Sequence, residues 1–75
     1  MPALPSAFAI LLRAKGEAGY VPAGRCALEA MPVRAVTVTL TTFEGRAIEG
    51  IVDEFFIPPG CDEHCTGTLF LSALA

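Results

Sequence analysis

Hydrophobic and polar residues alternate along the second half of the chain in a pattern typical of β-strands. Over residues 35–42, valine and leucine alternate with threonine, which gives one apolar face and one face of hydroxyl groups. A turn at 43–46, in which Gly45 is able to take a positive φ, predicts a hairpin to a second strand over 47–57. A third strand is predicted over 66–74, and both of its faces are largely apolar, which indicates a central position in a sheet.

The second predicted strand has a glycine at its centre and loses its alternation near its end. Gly50 costs roughly 0.5–1 kcal/mol against alanine, because it brings backbone entropy and no side chain to pack. Residues 55–57 are three apolar residues in a row, which predicts a bulge or a bend there. We interpret Gly50 as a structural bend, at which the strand changes direction and contributes to both faces of the sheet.

The first half of the sequence predicts less regular structure. Helix-forming residues after a capping serine predict a helix over 6–18, although the apolar run at 8–12 also fits a buried strand. Glycine and proline predict a loop over 19–25, and a short turn of helix is predicted over 26–31 before a proline. The predicted fold class is mainly β with an N-terminal helix, α+β by content, with a strongly bent antiparallel sheet.

The length and composition predict a single small domain, residues 1–75, that associates with other chains. A chain of 75 residues buries only about 60–65% of the surface that its unfolded form exposes, so its stability is marginal without a disulfide, a metal or a partner subunit. Hydrophobic residues make up 53% of the chain and charged residues 17%. A small core cannot hold that much apolar side chain, and the excess predicts an apolar contact surface and a homo-oligomer.

The charge pattern argues against strong DNA binding and against a membrane span. The net charge is −3, and the five basic residues are scattered singly, with no run that would bind a phosphate backbone. The apolar run at 7–12 is far shorter than the roughly 20 residues that span a bilayer, and no positively charged segment precedes it. We therefore expect a cytoplasmic protein.

The segment CDEHC contains the strongest candidate for a metal site. Cys61, His64 and Cys65 are ligands that zinc accepts, and Cys26 could supply a fourth. The segment lacks the Cys-x-x-Cys pairs of the usual zinc knuckle, and a Cys61–Cys65 disulfide is not expected in a reducing compartment. A polar turn with two incidental thiols is the favoured interpretation, so no metal and no cofactor is predicted.

No motif in the sequence predicts catalysis. The chain has no Gly-rich phosphate loop, no nucleophile elbow and no strand–GxGxxG–helix arrangement. Asp53 and Glu54 are adjacent carboxylates, but neighbours in a strand point to opposite faces and do not easily share one ion. The sequence therefore predicts a protein that is not an enzyme.

One family resemblance covers residues 28–71. The residues that carry it are Val36, Val38, Leu40, Gly45, Ile48, Gly50, Val52 and Phe55. This pattern resembles the first half of an Sm-like (Lsm) domain, in which a short helix precedes a small, strongly bent five-stranded antiparallel barrel of SH3-like form. The chain has Asp62 but no asparagine in the position of the first family motif, and the Arg-Gly turn of the second motif is missing.

The resemblance implies a non-enzymatic module that assembles into a ring through strand edges, completes its barrel by oligomerisation, and binds RNA or a protein partner. The nucleic-acid-binding residues predicted on this basis are Phe43, Arg46, Asp62 and His64. The predicted oligomer-interface residues are Phe55, Phe56, Leu69 and Leu71.

Two alternatives remain open from the sequence. An ACT-like ligand-binding domain would have a strand at 8–14, a helix at 24–31 and the same hairpin. A pure protein-interaction module, similar to an antitoxin or a phage accessory protein, would pair an exposed strand with its partner.

Overall fold

The computed structural model of the protein describes residues 4–74, and these residues form five β-strands and no helix. The strands are β1 (Ala7–Arg13), β2 (Val21–Cys26), β3 (Thr37–Thr41), β4 (Ala47–Phe56) and β5 (Thr66–Ala73). They form one sheet in the order β2-β1-β5-β4-β3, in which β1 and β5 are parallel and the other neighbours are antiparallel. The sheet curls into a half-barrel, because the N–H of Phe43, just after edge strand β3, donates to the carbonyl of Arg25 on edge strand β2 at 2.9 Å.

The predicted N-terminal helix over 6–18 is wrong, since Ala7–Arg13 forms β1. Alanine, leucine and arginine favour a helix intrinsically, but tertiary pairing overrides this weak preference. The backbone of β1 is paired on both sides, with β2 and with β5, and its apolar residues pack on both faces. The predicted loop over 19–25 and the predicted turn of helix over 26–31 are also wrong, because β2 runs from Val21 to Cys26 and residues 27–36 form the connection to β3. The sheet is mixed and not antiparallel throughout as predicted, because β1 runs parallel to β5.

The second half of the chain follows the predicted pattern more closely. Strands β3, β4 and β5 lie within the ranges 35–42, 47–57 and 66–74 that the alternation predicts. The turn between β3 and β4 closes through a bond from the N–H of Thr42 to the carbonyl of Arg46 at 2.8 Å. Gly45 has φ 89° in this turn, the positive value that the sequence predicts.

The core lies inside the curl, on what we call the inner face of the sheet. Its buried members are Phe8, Ile10, Ala23, Cys26, Ile48, Val52, Leu69 and Leu71. Phe8 is fully buried, and its ring covers the backbone at Gly67, where an added Cβ would lie 2.7 Å from the ring. Burial of one large apolar side chain stabilises a domain by about 1.5–3 kcal/mol, so this small core supplies most of the folding energy.

Gly50 lies at a close approach between β4 and β5. An ideal Cβ built on Gly50 would lie 2.7 Å from the carbonyl oxygen of Ser72 and 3.3 Å from the Cβ of Leu71. Side chains do not fit at such distances, so the glycine allows the backbone of β5 to pack against this strand. The register of β4 against β5 changes three residues later.

That change of register is a β-bulge at Asp53. Val52 pairs with Leu71 and Glu54 pairs with Phe70, so Asp53 is the extra residue in β4. The bulge shifts the alternation by one, which allows both Val52 and Phe55 to face the core although they are three residues apart. The irregularity predicted at 55–57 therefore lies at Asp53.

A second bulge precedes β3. The N–H of Ala35 donates to the carbonyl of Val52 at 2.8 Å, and the N–H of Val52 donates to the carbonyl of Val36 at 3.0 Å. Ala35 has φ 68°, in the left-handed region where this type of bulge normally has a glycine. The two residues oppose Val52 and extend the pairing of β3 with β4.

Candidate functional site

The side of the sheet away from the core has an unusual amount of apolar surface, which we call the outer face. On the three central strands this face has Ala9, Leu11, Ile51, Phe56, Thr68 and Phe70, together with the exposed, charged Glu54 beside Phe70. Ile51 and Phe56 are exposed, with 36% and 55% of their surface accessible, and the other four uncharged residues are part-buried. The register gives two rows across the strands, Ala9–Thr68–Phe56 and Leu11–Phe70–Glu54, so the apolar side chains of this face are neighbours of one threonine and one glutamate.

A cluster of four polar residues, the Asp53 cluster, lies at one end of the outer face. Asp53 Oδ2 accepts hydrogen bonds from Ser72 Oγ at 2.5 Å and from Tyr20 Oη at 2.8 Å. Arg13 donates to Ser72 Oγ from Nη2 at 2.8 Å, and its Nη2 lies 3.5 Å from Asp53 Oδ2. The ring of Tyr20 packs edge-on against Phe70 at 5.2 Å and lies 5.2 Å from the Arg13 guanidinium. The cluster therefore fixes the β1–β2 loop, through Tyr20, to the bulge in β4.

The cluster moves two pKa values away from neutrality. Partial desolvation raises the pKa of Asp53, but the hydrogen bonds from Ser72 and Tyr20 and the charge of Arg13 together lower it below its ordinary value. The hydrogen bond to Asp53 raises the pKa of Tyr20, and desolvation and the Asp53 charge act in the same direction. At neutral pH the carboxylate is ionised and the phenol keeps its proton. A general acid or base works best with a pKa near the working pH, so neither group is suited to proton transfer.

A groove of about 410 Å³ runs between strands β1 and β2 and the turn after β3. Its apolar lining includes Leu11, Pro22 and Phe43, and Arg25 and Glu44 are its charged residues. Phe43 is 60% exposed, and Gly24 lets the turn approach, since an added Cβ there would lie 3.0 Å from Thr42 Cγ2. The groove presents an exposed aromatic ring beside an arginine.

The loop between β4 and β5 holds the predicted metal ligands. Cys61 and Cys65 are joined by a disulfide with a Cα–Cα distance of 5.4 Å, within the usual range. This pairing was not expected from the sequence. His64 Nε2 lies 3.5 Å from Glu63 Oε1, and the His64 N–H donates to Asp62 Oδ1 at 2.8 Å, an ordinary turn interaction. Within residues 4–74, no three histidine, cysteine or acidic side chains are arranged to hold a metal ion.

The four predicted nucleic-acid-binding residues do not form one surface. Phe43 and Arg46 belong to the turn before β4, whereas Asp62 and His64 belong to the loop after it. Strand β4 has ten residues, which at about 3.3 Å per residue separates the two loops by roughly 30 Å. All four residues are exposed.

The predicted interface residues divide between the core and the surface. Leu69 and Leu71 are 1% and 0% exposed and belong to the core, so they offer no surface to a partner. Phe55 is part-buried against the core and lies 4.8 Å from the Arg34 guanidinium. Phe56 is the most exposed of the four, and it belongs to the outer face.

Sequence reasoning missed the Asp53 cluster. Arg13, Tyr20 and Ser72 are far from Asp53 along the chain, and only the order of the strands brings the four together. A signal for the bulge itself was present, because the apolar positions of β4 change from even numbers to odd numbers between Val52 and Phe55.

None of the residues from 4 to 74 forms a helix of the length and apolar character needed to cross a membrane. Comparison of the chain with protein-family models, curated proteins and solved structures gives no match.

Proposed function

We propose that this protein is a non-enzymatic module that works by associating with protein surfaces, and that copies of the chain associate through the outer face. The observation that carries this proposal is the apolar outer face of the parallel pair β1 and β5. Strands that are apolar on both faces are typical of sheets that are covered on both faces. Here the inner face is covered by the core, and the outer face is left open to a partner.

The composition supports the same proposal. The core accounts for eight buried residues, whereas 53% of the chain is hydrophobic. Seven large hydrophobic side chains between residues 4 and 74 remain exposed, among them Ile51 and Phe56 on the outer face. A second sheet stacked on this face would lie about 10 Å away and remove these side chains from water. Such stacking stabilises the assembly by roughly 25 cal/mol for each Å² of apolar surface that it buries.

The Asp53 cluster supports the non-enzymatic part of this proposal. The four polar side chains of this cluster are hydrogen-bonded to one another. The pKa of Asp53 is lowered and the pKa of Tyr20 is raised, so both values move away from neutral pH. The ACT-like alternative requires helices packed on a sheet, and residues 4–74 contain none. The cytoplasmic location and the ring expected from the Sm-like resemblance stay predictions that rest on the sequence.

Light scattering with size-exclusion chromatography tests the proposal. We expect the wild type at micromolar concentration to have a mass greater than that of one chain. Phe56→Glu should reduce that mass, because it places a charge in the outer face, at a side chain that contributes little to the core. Val33→Glu is the matched control, since Val33 is about as exposed as Phe56 but lies in the loop between β2 and β3. A wild type that is monomeric throughout, or equal effects of the two variants, would contradict the proposal.

A second candidate function is binding of single-stranded RNA at the groove beside Phe43. The observation that favours it is the exposed Phe43 ring near Arg25 and Arg46, since bases stack on aromatic side chains and arginines bind phosphates. Titration with oligo-U and oligo-A at low salt tests it. We expect Phe43→Ala to weaken binding by about 1–3 kcal/mol per stacked base. No binding by the wild type at low salt would remove this candidate.

A further inference from the structure

Strand β3 is an edge of the sheet, and its open side is covered only beyond its end, where the N–H of Phe43 donates to the carbonyl of Arg25. We propose that β3 pairs with β3 of a second copy, antiparallel and about a twofold axis through Thr39, which joins two sheets into one of ten strands. The inference rests on the proposed function in that copies of the chain associate, but it assigns a different surface from the outer face.

The hydrogen bonds at both ends of β3 determine which of its backbone groups are available. Thr42 bonds to Arg46 at one end, and Val36 bonds to Val52 at the other. Bonded pairs alternate along an antiparallel ladder, so the even-numbered residues of β3 are the ones bonded to β4. The odd-numbered residues therefore direct their N–H and C=O groups to the open side. These residues are Thr37, Thr39 and Thr41.

The three threonines offer six backbone groups to a partner. All three residues are exposed, and their N–H and C=O groups have no backbone partner within the described chain outside the strand ladder. The next residue of the same parity, Phe43, already donates to Arg25, so the available stretch ends at Thr41. A strand of matching length would satisfy all six groups.

The sequence TVTLT is close to a palindrome, which makes the strand complementary to itself. Twofold pairing centred on Thr39 sets Thr37 opposite the partner's Thr41 and Val38 opposite the partner's Leu40. Threonine pairs and aliphatic pairs across strands are favourable, by about 0.2–1 kcal/mol each. The strand has no charged residue, so the symmetry brings no like charges together. The six groups of each copy form six hydrogen bonds between the two strands.

The other edge of the sheet does not offer the same opportunity. Strand β2 contains Pro22, which has no N–H, and Gly24 at φ 117° next to a register shift. Proline, charge and irregular backbone are the features by which edge strands avoid pairing, and β3 has none of them between Thr37 and Thr41. A ring built head to tail needs both edges, whereas a twofold dimer needs only β3. The geometry therefore favours the closed dimer.

Two sets of variants test the pairing. Thr39→Pro removes an outward N–H that does not bond to β4, so the monomer should keep its fold while association weakens by at least about tenfold, equivalent to 1.4 kcal/mol. Thr39→Ser keeps the N–H and is the control. Under oxidising conditions Thr39→Cys should cross-link to its symmetry mate, since paired Cα atoms lie about 5.5 Å apart. Thr37→Cys should not, because it faces the partner's Thr41.

The outcomes separate this inference from the proposed function. If both contacts operate, Thr39→Pro and Phe56→Glu each yield a smaller assembly, and the double variant is a monomer. A folded Thr39→Pro with the wild-type mass and affinity overturns the β3 pairing and leaves the outer face untouched. If Thr39→Pro lowers the mass of the assembly and Phe56→Glu does not, association through the outer face is overturned and the β3 pairing is supported. If Thr39→Pro unfolds, the two cysteine variants test the pairing in its place. Equal cross-linking of Thr37→Cys and Thr39→Cys overturns the twofold register.

Discussion

A methyl group at Gly50 should destabilise the protein, although alanine is usually the better residue in a strand. The Cβ of Gly50→Ala would lie 2.7 Å from the carbonyl oxygen of Ser72, which is backbone and cannot rotate away. It would also lie 3.3 Å from the Cβ of Leu71, a fully buried core residue. The variant therefore forces β4 and β5 apart beside a core residue.

The expected magnitude follows from two opposing effects. Overpacking of a close-packed site costs about 1–3 kcal/mol. Replacement of glycine by alanine returns roughly 0.5–1 kcal/mol, because it lowers the entropy of the unfolded chain. Because the contact is with backbone, the cost should lie in the upper half of its range, so the free energy of unfolding should fall by about 1–2.5 kcal/mol. The Tm should fall by about 4–8 °C for each kcal/mol in a domain of this size. Gly50→Val adds two more carbons than Gly50→Ala and should lower the free energy of unfolding further.

Thermal and urea unfolding, followed by circular dichroism, measure this loss at a protein concentration held constant. Gly19→Ala is the matched control, because an added Cβ at Gly19 meets nothing within 4 Å and its φ is not positive. The control should be neutral or more stable than the wild type by about 0.4–1 kcal/mol. A Gly50→Ala protein as stable as the wild type would refute the close approach of β5 as the reason for this glycine.

Three further predictions concern backbone strain, pH and the disulfide. Ala35→Gly should stabilise the protein by up to about 1 kcal/mol in urea unfolding, because φ 68° is unfavourable for alanine, and a loss of stability would contradict the bulge geometry. Because the pKa of Asp53 is lowered by folding, the stability it contributes is present above its unfolded pKa of about 3.9 and is lost as pH falls through the lower folded value. Asp53→Asn should flatten this acid dependence of the Tm, whereas Glu54→Gln should flatten it less, because Glu54 is exposed to solvent although its hydrogen bond from Arg34 also lowers its pKa. Reduction of Cys61–Cys65, or replacement of both by serine, should lower stability by at most about 2 kcal/mol, since the loop it closes is short; unchanged unfolding on reduction would show that this bridge contributes nothing.

The parts of the fold that sequence reasoning predicts are those with a local signal. In β3 the alternation of threonine with valine and leucine has the period of a half-exposed strand, and Gly45 marks a turn that needs a positive φ. Strand β5 was predicted from its two apolar faces, which indicate a central strand, and it lies between β1 and β4.

The errors are in the segments whose structure depends on distant parts of the chain. Strand β1 has no alternation, because it is apolar on both faces, and its parallel partner β5 lies 59 residues away along the chain. Because that pairing leaves no local signal in the sequence, the helix-forming residues at 6–18 predict a helix. Strand β2 contains Pro22 and Gly24, which are typical of loops but are tolerated at a sheet edge. The Asp53 cluster was missed for the same reason, since strand order alone brings Arg13 to Ser72.

The parallel pairing of the first strand with the last has a consequence for how the protein folds. Strand β5 lies at the centre of the sheet and follows the other four described strands along the chain, so β1 and β2 cannot join β3 and β4 until residues 66–73 are available. Until then the apolar β1 remains exposed in the nascent chain. Bringing β1 and β5 together costs the entropy of closing a long loop before their contacts can stabilise the pair. We therefore expect slow folding, in the millisecond-to-second range of proteins dominated by non-local pairing. Chaperone contact during synthesis should therefore be directed at β1, because its parallel partner β5 is the most distant strand along the chain.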